Sequence, residues 1–412
     1  MDNITHSIIG LGVAELLQRS LAPETERAAQ RGRRRLLLFS CWFASNMPDL
    51  DLFLTRLLPK PLGYLLQHRG HTHTLLWALP QALLLLAALW LFWPGARALL
   101  KGSAAARAGL GAALLLGLGL HLSMDYLNSY GLHPFYPFDP RWFYGDLVFI
   151  VEPLFWVALG APLALTLARP VARGAALAAL AGALLFFAAR GFLGWGACAV
   201  LLSLGAGLAA LQRRAGERGR GALLAGLGVC LGFIALQGGA AALARQRIDA
   251  ALHRIDPAAR LLDVALTAYP SQPLCWSFVT LEMNEARGRY RLRRGVASLA
   301  PDALAPAACP AGLTEALPRR ALAPGIAADL ELDGSLAALR ALRRDDCHVE
   351  AWLRFARAPV VEAGQAYDLR YRSLMKDNFS TLDLARARLQ GCPASVPEWA
   401  YPRRDLLTAP SG

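Results

Sequence analysis

The chain has 412 residues, of which 55% are hydrophobic and only 18% are charged, and its mean hydropathy is +0.34. A soluble globular protein carries about a quarter charged residues and lacks long apolar runs, so this composition indicates a membrane protein. The formal net charge is +13, but no basic helix interleaved with aromatic residues and no zinc-finger spacing is found, so we expect no nucleic-acid partner.

Eight apolar segments occupy the first 244 residues and predict a helical membrane domain. Several of them approach the roughly 20 residues that a helix needs to cross a bilayer. In chain order they span residues 4–20, 36–48, 74–93, 108–127, 146–168, 171–189, 191–211 and 221–244. The second segment is short for a full crossing, so the first two segments either both cross or form a re-entrant hairpin. In both cases the segments after residue 74 keep the same orientation in the membrane.

The basic residues between these segments predict the orientation of the chain. If all eight segments cross, one set of connecting stretches holds 15 Lys and Arg residues and the opposite set holds five. Such an excess marks the cytoplasmic face. We therefore expect a multi-pass protein of the bacterial inner membrane, in contact with bilayer lipid, whose residues 49–73 and C-terminal domain lie outside the cytoplasm.

After about residue 245, charges, prolines and alternating patterns replace the apolar runs and predict a small α+β domain. The expected elements are helices over 245–267 and 335–344, strands over 275–281, 288–293, 349–355, 366–371 and 379–384, and an irregular segment over 299–324. The predicted fold is mainly α, with a metal-site helical membrane domain at 1–155, additional transmembrane helices at 156–244 and an α+β domain at 245–412.

The seven cysteines form no CxxC pair, which argues against a thiolate zinc site. Three of them lie in apolar segments and are typical small core residues. The other four lie in the polar C-terminal part: Cys275, Cys309, Cys347 and Cys392. If that part faces an oxidising compartment, we expect at least two of them to be joined.

Five of the eight histidines lie within the first 121 residues, together with carboxylates near segment ends. Ionisable groups are costly near a bilayer unless they are paired or bound to a ligand. Imidazole and carboxylate are preferred ligands of zinc and similar divalent ions, and the eight-pass topology places these groups on one face. The cluster comprises His6, Asp49, Asp51, His68, His71, His73, His121, Asp125 and Glu152.

Each part of this cluster also has a structural explanation of its own. His121 and Asp125 are four residues apart and can form a simple pair on one helix face. Asp49 and Asp51 can cap a helix or face solvent, and three histidines at 68, 71 and 73 can form an interfacial polar collar. Their convergence on one face favours a divalent metal site, with zinc as the expected ion.

Residues 2–6, with the sequence Asp-Asn-Ile-Thr-His, resemble the opening of the bacterial membrane-bound metal-dependent hydrolases of the YdjM type. The resemblance covers residues 1–155 closely and the C-terminal domain loosely. The further motifs that are similar to those of the family are Pro48-Asp49-Leu50-Asp51, His68-Arg69-Gly70-His71-Thr72-His73, His121-Leu122-Ser123-Met124-Asp125, Asn128-Ser129-Tyr130-Gly131, Pro137-Phe138-Asp139 and the stretch 145–153.

The resemblance implies a set of metal ligands in this chain, namely His6, Asp49, Asp51, His68, His73, His121 and Asp125. Two positions depart from the family pattern. The family usually has an apolar residue at the position of His71, so His71 is an extra ligand, a proton shuttle or incidental. The position of Glu152 is more often Asp in the family, and the longer side chain changes its reach.

We expect metal-assisted hydrolysis of a phosphoester, another small molecule or a lipid-linked substrate at the outer membrane–water interface. Asp51 or Glu152 would accept a proton from water, and Arg69 would bind an anionic oxygen. A divalent metal-ion transporter is the main alternative, although residues 171–244 offer few polar groups for a permeation path. A membrane sensor or scaffold with a structural metal is the third.

Overall fold

The computed structural model describes residues 1–216, 218–310, 319–371 and 378–408. Contacts within the chain define two compact units, each assembled from separate stretches of sequence. The first unit comprises Met1–Leu50, Thr72–Asn128 and Val148–Leu236, and the second comprises Asp51–His71, Ser129–Leu147 and Gln237–Gly412. The interleaving of the two units is not evident from the sequence.

Helices make up most of the N-terminal part of the chain. They are α1 (Asn3–Ser20), α2 (Arg27–Ala44), α3 (Asp51–Thr55), α4 (Leu62–Gln67), α5 (Leu75–Phe92), α6 (Pro94–Gly102), α7 (Ala104–Tyr126), α8 (Pro153–Ala164), α9 (Pro170–Ala189), α10 (Trp195–Ala215) and α11 (Gly221–Ile255). Among the described residues, five helices are long and apolar enough to cross a membrane, namely α5, α7, α9, α10 and α11. The predicted multi-pass helical fold is confirmed.

Two of the predicted apolar segments differ from the helices that form. Segment 36–48 contains only the second half of α2, which begins at Arg27, has a basic first half and ends at Ala44. Segment 146–168 contains the 12-residue helix α8, about 18 Å long against about 30 Å of hydrocarbon. This helix starts late because Pro153 suits its first turn and the Glu152 side chain accepts a hydrogen bond from Leu154 N. Most of α8 is buried within the first unit.

The second unit contains two antiparallel sheets. The five-stranded sheet has the order β1-β2-β3-β5-β4, and the three-stranded sheet has the order β6-β7-β8. The strands are β1 (Arg260–Tyr269), β2 (Gln272–Asn284), β3 (Arg289–Ser298), β4 (Arg320–Ala323), β5 (Ile326–Ser335), β6 (Pro359–Glu362), β7 (Gln365–Asp368) and β8 (Leu382–Asp383). The predicted hairpin is confirmed, with Leu281 opposite Leu292.

In one stretch of this region, an alternating pattern of apolar and polar residues predicts a strand where the structure has a helix. The strand predicted at 349–355 is wrong, because this stretch forms the helix α13 (Cys347–Leu353), which follows α12 (Leu336–Asp345). Asp346 starts α13 by accepting hydrogen bonds from His348 N and Val349 N, as an N-cap carboxylate does. Two short helices, α14 (Leu384–Arg388) and α15 (Arg404–Leu407), complete the described C-terminal part.

Other predicted boundaries shift by several residues. The helix predicted at 245–267 ends at Ile255, where α11 ends, and β1 follows from Arg260. The predicted strand 366–371 ends at Asp368, and of 379–384 only Leu382–Asp383 forms a strand. The segment 299–324 contains a 3₁₀ turn at Pro306–Ala308 and the strand β4, while its residues 311–318 lie outside the described residues.

Two disulfides and a buried ion-pair network stabilise the second unit. The disulfides join Cys275 to Cys309 and Cys347 to Cys392, which confirms the prediction that at least two of these four cysteines are joined. The Arg357 guanidinium donates to Asp146 at 2.9 Å and to Asp263 at 2.7 Å. Arg357 therefore ties the loop that contains Asp146 to strand β1.

Candidate metal centre

Five of the seven predicted ligands lie in the first unit and are buried: His6, Asp49, His73, His121 and Asp125. Helix α1 begins at Asn3 because Asp2 caps it, accepting hydrogen bonds from Ile4 N and Thr5 N. That start places His6 in the first turns of the helix. His121 and Asp125 are one turn apart in α7, so their side chains share a face.

The other two side chains come from short 3₁₀ turns at the ends of helices. Asp49 lies in the turn Pro48–Leu50, and His73 closes the turn His71–His73. Thr74 then caps α5 by accepting a hydrogen bond from Trp77 N. Helix α5 therefore begins directly after His73, which fixes the position of this side chain. In the sequence His71-Thr72-His73-Thr74, His73 is the predicted ligand and Thr74 is the helix cap.

Ligand atoms of Asp49, His73, His121 and Asp125 all lie within 4.8 Å of one another. The two imidazole Nε2 atoms of His73 and His121 are 3.0 Å apart. Nε2 of His73 lies 3.3 Å from both Asp49 Oδ1 and Asp125 Oδ2. Nε2 of His121 lies 3.7 Å from Asp49 Oδ1 and 3.5 Å from Asp125 Oδ2.

These separations match those of a tetrahedral ion site. Four nitrogen and oxygen ligands placed tetrahedrally at 2.0–2.1 Å from a zinc ion lie about 3.3 Å from one another. Five of the six separations among the four ligand atoms run from 3.0 to 3.7 Å, and all four atoms lie within 4.8 Å of one another. Two imidazoles and two carboxylates are also a donor set that zinc and similar divalent ions accept. The four residues therefore fit a divalent ion.

Neighbouring groups orient these ligands. The Nδ1 atom of His121 lies 2.8 Å from the backbone carbonyl oxygen of Ser45, so Nδ1 carries the proton and Nε2 presents a lone pair. The Nδ1 atom of His73 is 3.0 Å from Thr72 Oγ1. Asn3 Nδ2 donates to Asp49 Oδ2 at 3.0 Å, while Asp49 Oδ1 faces the histidines. Asn3, Thr72 and Ser45 received no role from the sequence.

His6 lies beside the four-residue group. Its ring stacks on that of His121 with centroids 4.1 Å apart, and its Nε2 is 3.4 Å from Asp125 Oδ1. Among the described residues, neither ring nitrogen of His6 has a hydrogen-bond partner, although both are buried. The N-terminal ammonium of Met1 contacts Asp125 as well. A buried imidazole without such a partner is costly, and a bound ion would satisfy it.

The charge state of Asp49 reflects its histidine neighbours. Burial alone would raise the pKa of this carboxyl, but the hydrogen bond with His73 and the positive charge that His121 carries when protonated outweigh burial and hold the pKa below its ordinary value. Asp49 is therefore a carboxylate near neutral pH. An ionised carboxylate is the form that ligates a metal.

Asp51 and His68, the other two predicted ligands, belong to the second unit. His68 Nδ1 lies 2.8 Å from Asp51 Oδ1, and the His68 ring stacks on Tyr64 with centroids 5.0 Å apart. Such a carboxylate–imidazole pair fixes the orientation and the tautomer of the ring. The predicted residue His71 is exposed, and its ring centroid is 5.5 Å from that of Tyr136.

Two further predicted residues, Arg69 and Glu152, are buried. Arg69 follows His68 with a positive φ of 56°, and its guanidinium lies over the Tyr130 ring at 4.7 Å. Tyr130 comes from the motif 128–131, so two sequence motifs meet within the second unit. Glu152, in the first unit, is the N-cap of α8.

Comparison with known proteins agrees with this reading of the motifs. A model of the YdjM inner membrane protein family matches residues 1–197. The uncharacterized protein YfhP of Bacillus subtilis (strain 168) is 26% identical over 158 residues, which are 38% of this chain and 44% of that protein. The aligned part thus spans less than half of that relative, and no solved structure matches the chain. Residues 1–197 are therefore similar to the YdjM inner membrane protein family, in agreement with the resemblance of the motifs.

Proposed function

We propose that this chain is a membrane-embedded, metal-dependent hydrolase that acts on a phosphoester or a lipid-linked substrate. The observation that carries the proposal is the spacing of Asp49, His73, His121 and Asp125. The two imidazole Nε2 atoms of this buried group lie 3.0 Å apart and 3.3–3.7 Å from the carboxylate oxygens. Zinc is the proposed ion, because the donor set and the separations suit tetrahedral coordination.

When bound, a divalent ion supplies a Lewis acid for the scissile group and makes a nucleophilic water available near neutral pH. The chain's own residues would handle protons and substrate charge. Asp51, held with His68 at 2.8 Å, forms a pair that can accept a proton, and Glu152 is the second candidate base. Asn3 and the Ser45 carbonyl would hold the ligands in position.

Arg69 is the proposed binding group for the substrate anion. Its guanidinium is buried and lies against the Tyr130 ring, and a planar guanidinium can pair with two oxygens of a phosphate or carboxylate. Because the helices of this protein span a membrane, we propose that the anion belongs to a phosphoester or a lipid-linked phosphate.

We also propose that the C-terminal region and the metal centre lie outside the cytoplasm. The two disulfides favour an oxidising compartment for the C-terminal region. The excess of basic residues in one set of connecting segments supports the same orientation.

The test combines metal analysis with activity of the purified full chain. We expect removal of divalent metal by a chelator to abolish hydrolysis in a panel of phosphoesters, and return of zinc to restore it. His121→Ala should lower both metal content and hydrolysis, whereas His253→Ala, at an exposed position of α11, should lower neither. Hydrolysis that survives complete metal removal would contradict the proposal, and so would unchanged metal content in His121→Ala.

A further inference from the structure

A groove of about 850 Å³ runs along helices α5 and α7 of the first unit. Its walls are apolar side chains, including Leu83 and Leu91, which are 57% and 63% exposed. Ala87 and Gly111 also line it, and a Cβ placed on Gly111 would meet nothing within 4 Å. Both helices are long and apolar enough to cross a membrane, so in a bilayer the groove would face lipid.

Two cations join this apolar lining. Lys101, near the end of α6, and Arg107, in the first turns of α7, both line the groove and are exposed. The Lys101 ammonium lies 5.8 Å from the centroid of the Trp90 ring. Arg107 Nη1 donates to the carbonyl oxygen of Leu100 at 2.7 Å, which anchors the guanidinium beside the groove. Tryptophan and basic residues at a helix end are typical of the membrane–water interface.

We propose that this groove binds an anionic phospholipid, with an acyl chain along α5 and α7 and the phosphate near Lys101 and Arg107. An apolar groove without these cations would accept the acyl chain of any lipid. The two cations add charge complementarity to a negative headgroup, and basic pockets between transmembrane helices are suited to anionic lipids. The volume of the groove is within the range of about 300–1,000 Å³ common for sites that hold a small molecule.

The site is separate from the metal centre, since none of the proposed metal ligands lines the groove. Lipid binding at the groove can therefore be tested independently of hydrolysis. Each basic residue near a membrane surface strengthens attraction to anionic lipid by an amount equivalent to about a fivefold change in affinity.

Native mass spectrometry of the purified full chain tests the proposal, with phosphatidylglycerol and phosphatidylcholine of identical acyl chains as probes. We expect wild type to bind phosphatidylglycerol more tightly. Lys101→Gln should lower that affinity about fivefold and leave phosphatidylcholine unchanged. Arg97→Gln is the matched control, because Arg97 lies on the same helix, α6, but does not line the groove.

A second variant tests the apolar part of the site without weakening the fold. Gly111→Leu places a side chain where there is open space and replaces glycine with a better helix former. We expect it to lower binding of both lipids. Equal binding of the two lipids by wild type would overturn the proposal. Equal losses in Lys101→Gln and Arg97→Gln, or undiminished binding in Gly111→Leu, would overturn it as well.

Discussion

The Nε2 atoms of His73 and His121 lie 3.0 Å apart. The Ser45 carbonyl oxygen accepts a hydrogen bond from Nδ1 of His121, so the proton of the neutral ring is on Nδ1 and its Nε2 atom carries a lone pair. A lone pair this close to a second imidazole nitrogen needs a proton or a cation between the two atoms. With Asp49 and Asp125 within 3.7 Å of the same atoms, a divalent cation satisfies all four groups, whereas one proton satisfies only two.

The hydrogen bond from Asn3 Nδ2 to Asp49 Oδ2 leads to the first prediction. Groups that orient a ligand without touching the ion commonly contribute a factor of about 10–100 to metal affinity. We expect Asn3→Ala to weaken zinc affinity by about that factor, and saturating zinc to restore full occupancy. Competition with a chromophoric chelator measures this affinity.

Asn46→Ala is the matched control for Asn3→Ala. Asn46 is also an asparagine of the first unit, but its amide donates to the carbonyl oxygen of Trp42 at 2.8 Å. We expect its zinc affinity to stay near that of wild type. If both variants bind zinc equally well, the Asn3–Asp49 hydrogen bond does not position the ligand.

The second prediction concerns acid stability and Asp263. Burial would raise the pKa of Asp263, but Arg357 and Arg403 outweigh burial and lower the pKa to about 2. A carboxyl whose pKa is lower in the folded state binds fewer protons there than in the unfolded chain. Its contribution, roughly 2 kcal/mol, is therefore present above about pH 4 and is lost as the pH falls toward 2.

Thermal unfolding followed by near-ultraviolet circular dichroism between pH 5 and pH 2 tests this. Asp263→Asn should be less stable at pH 5 and show a flatter decline with acid. Asp333→Asn is the control, because Asp333 pairs with Arg291 at an exposed position of the same sheet, where ion pairs contribute little. Parallel declines in wild type and Asp263→Asn would assign the acid sensitivity to other groups.

The sequence could predict the ligand types and the elements that carry them, because both follow from local patterns. The i, i+4 spacing of His121 and Asp125 places both on one face of α7. Asp49 and His73 lie in short turns next to helix ends. The structure brings these four together, and Asp51 pairs with His68.

Contacts between distant parts of the chain could not be predicted in this way. One partner of Arg357 is Asp146, 211 residues away, and Asn3 donates to Asp49, 46 residues away. A single sequence contains no signal for such pairs. The helix α13 was missed for a different reason, since an alternating pattern that predicts a strand was overridden by the Asp346 cap and by burial of Val349 and Trp352.

The third prediction concerns membrane topology and turns on α8. The five helices that qualify as spans exclude α8, and if it does not cross, an even number of crossings separates Arg107 from Arg245. If the buried α8 crosses together with its flanking residues, the number is odd. Short or irregular backbone is tolerated at membrane depth where protein surrounds it, and most of α8 is buried.

We expect reporter fusions at Arg107 and after Arg245 to report opposite compartments, with the fusion at Arg107 in the cytoplasm. This arrangement places the two disulfides outside the cytoplasm, where they can form and persist. The same compartment for both fusions would mean that α8 does not cross and would overturn the proposed orientation.

The last prediction separates the hydrolase from the transporter and scaffold alternatives, and it depends on the backbone at Arg69. With φ at +56°, this position favours glycine, so Arg69→Gly removes the guanidinium while relieving the backbone. The neighbouring Gly70 is unsuitable for substitution, because a Cβ there would lie 2.8 Å from the carbonyl oxygen of Gln67. Arg56→Ala is the matched control, since Arg56 also lies over an aromatic ring, that of Phe53 at 5.9 Å, but is exposed.

A guanidinium stays protonated and cannot ligate a metal, so Arg69→Gly should leave zinc content unchanged. It should, however, remove a charge-assisted contact of about 1.5–3 kcal/mol to an anionic substrate, which is a loss of roughly tenfold or more in phosphoester turnover. Arg56→Ala should retain wild-type turnover. A transporter would show altered ion flux in Arg69→Gly with no hydrolysis to lose, and a scaffold would show neither change. Equal turnover in wild type and Arg69→Gly, at equal zinc loading, would remove the reason to expect a phosphate-bearing substrate.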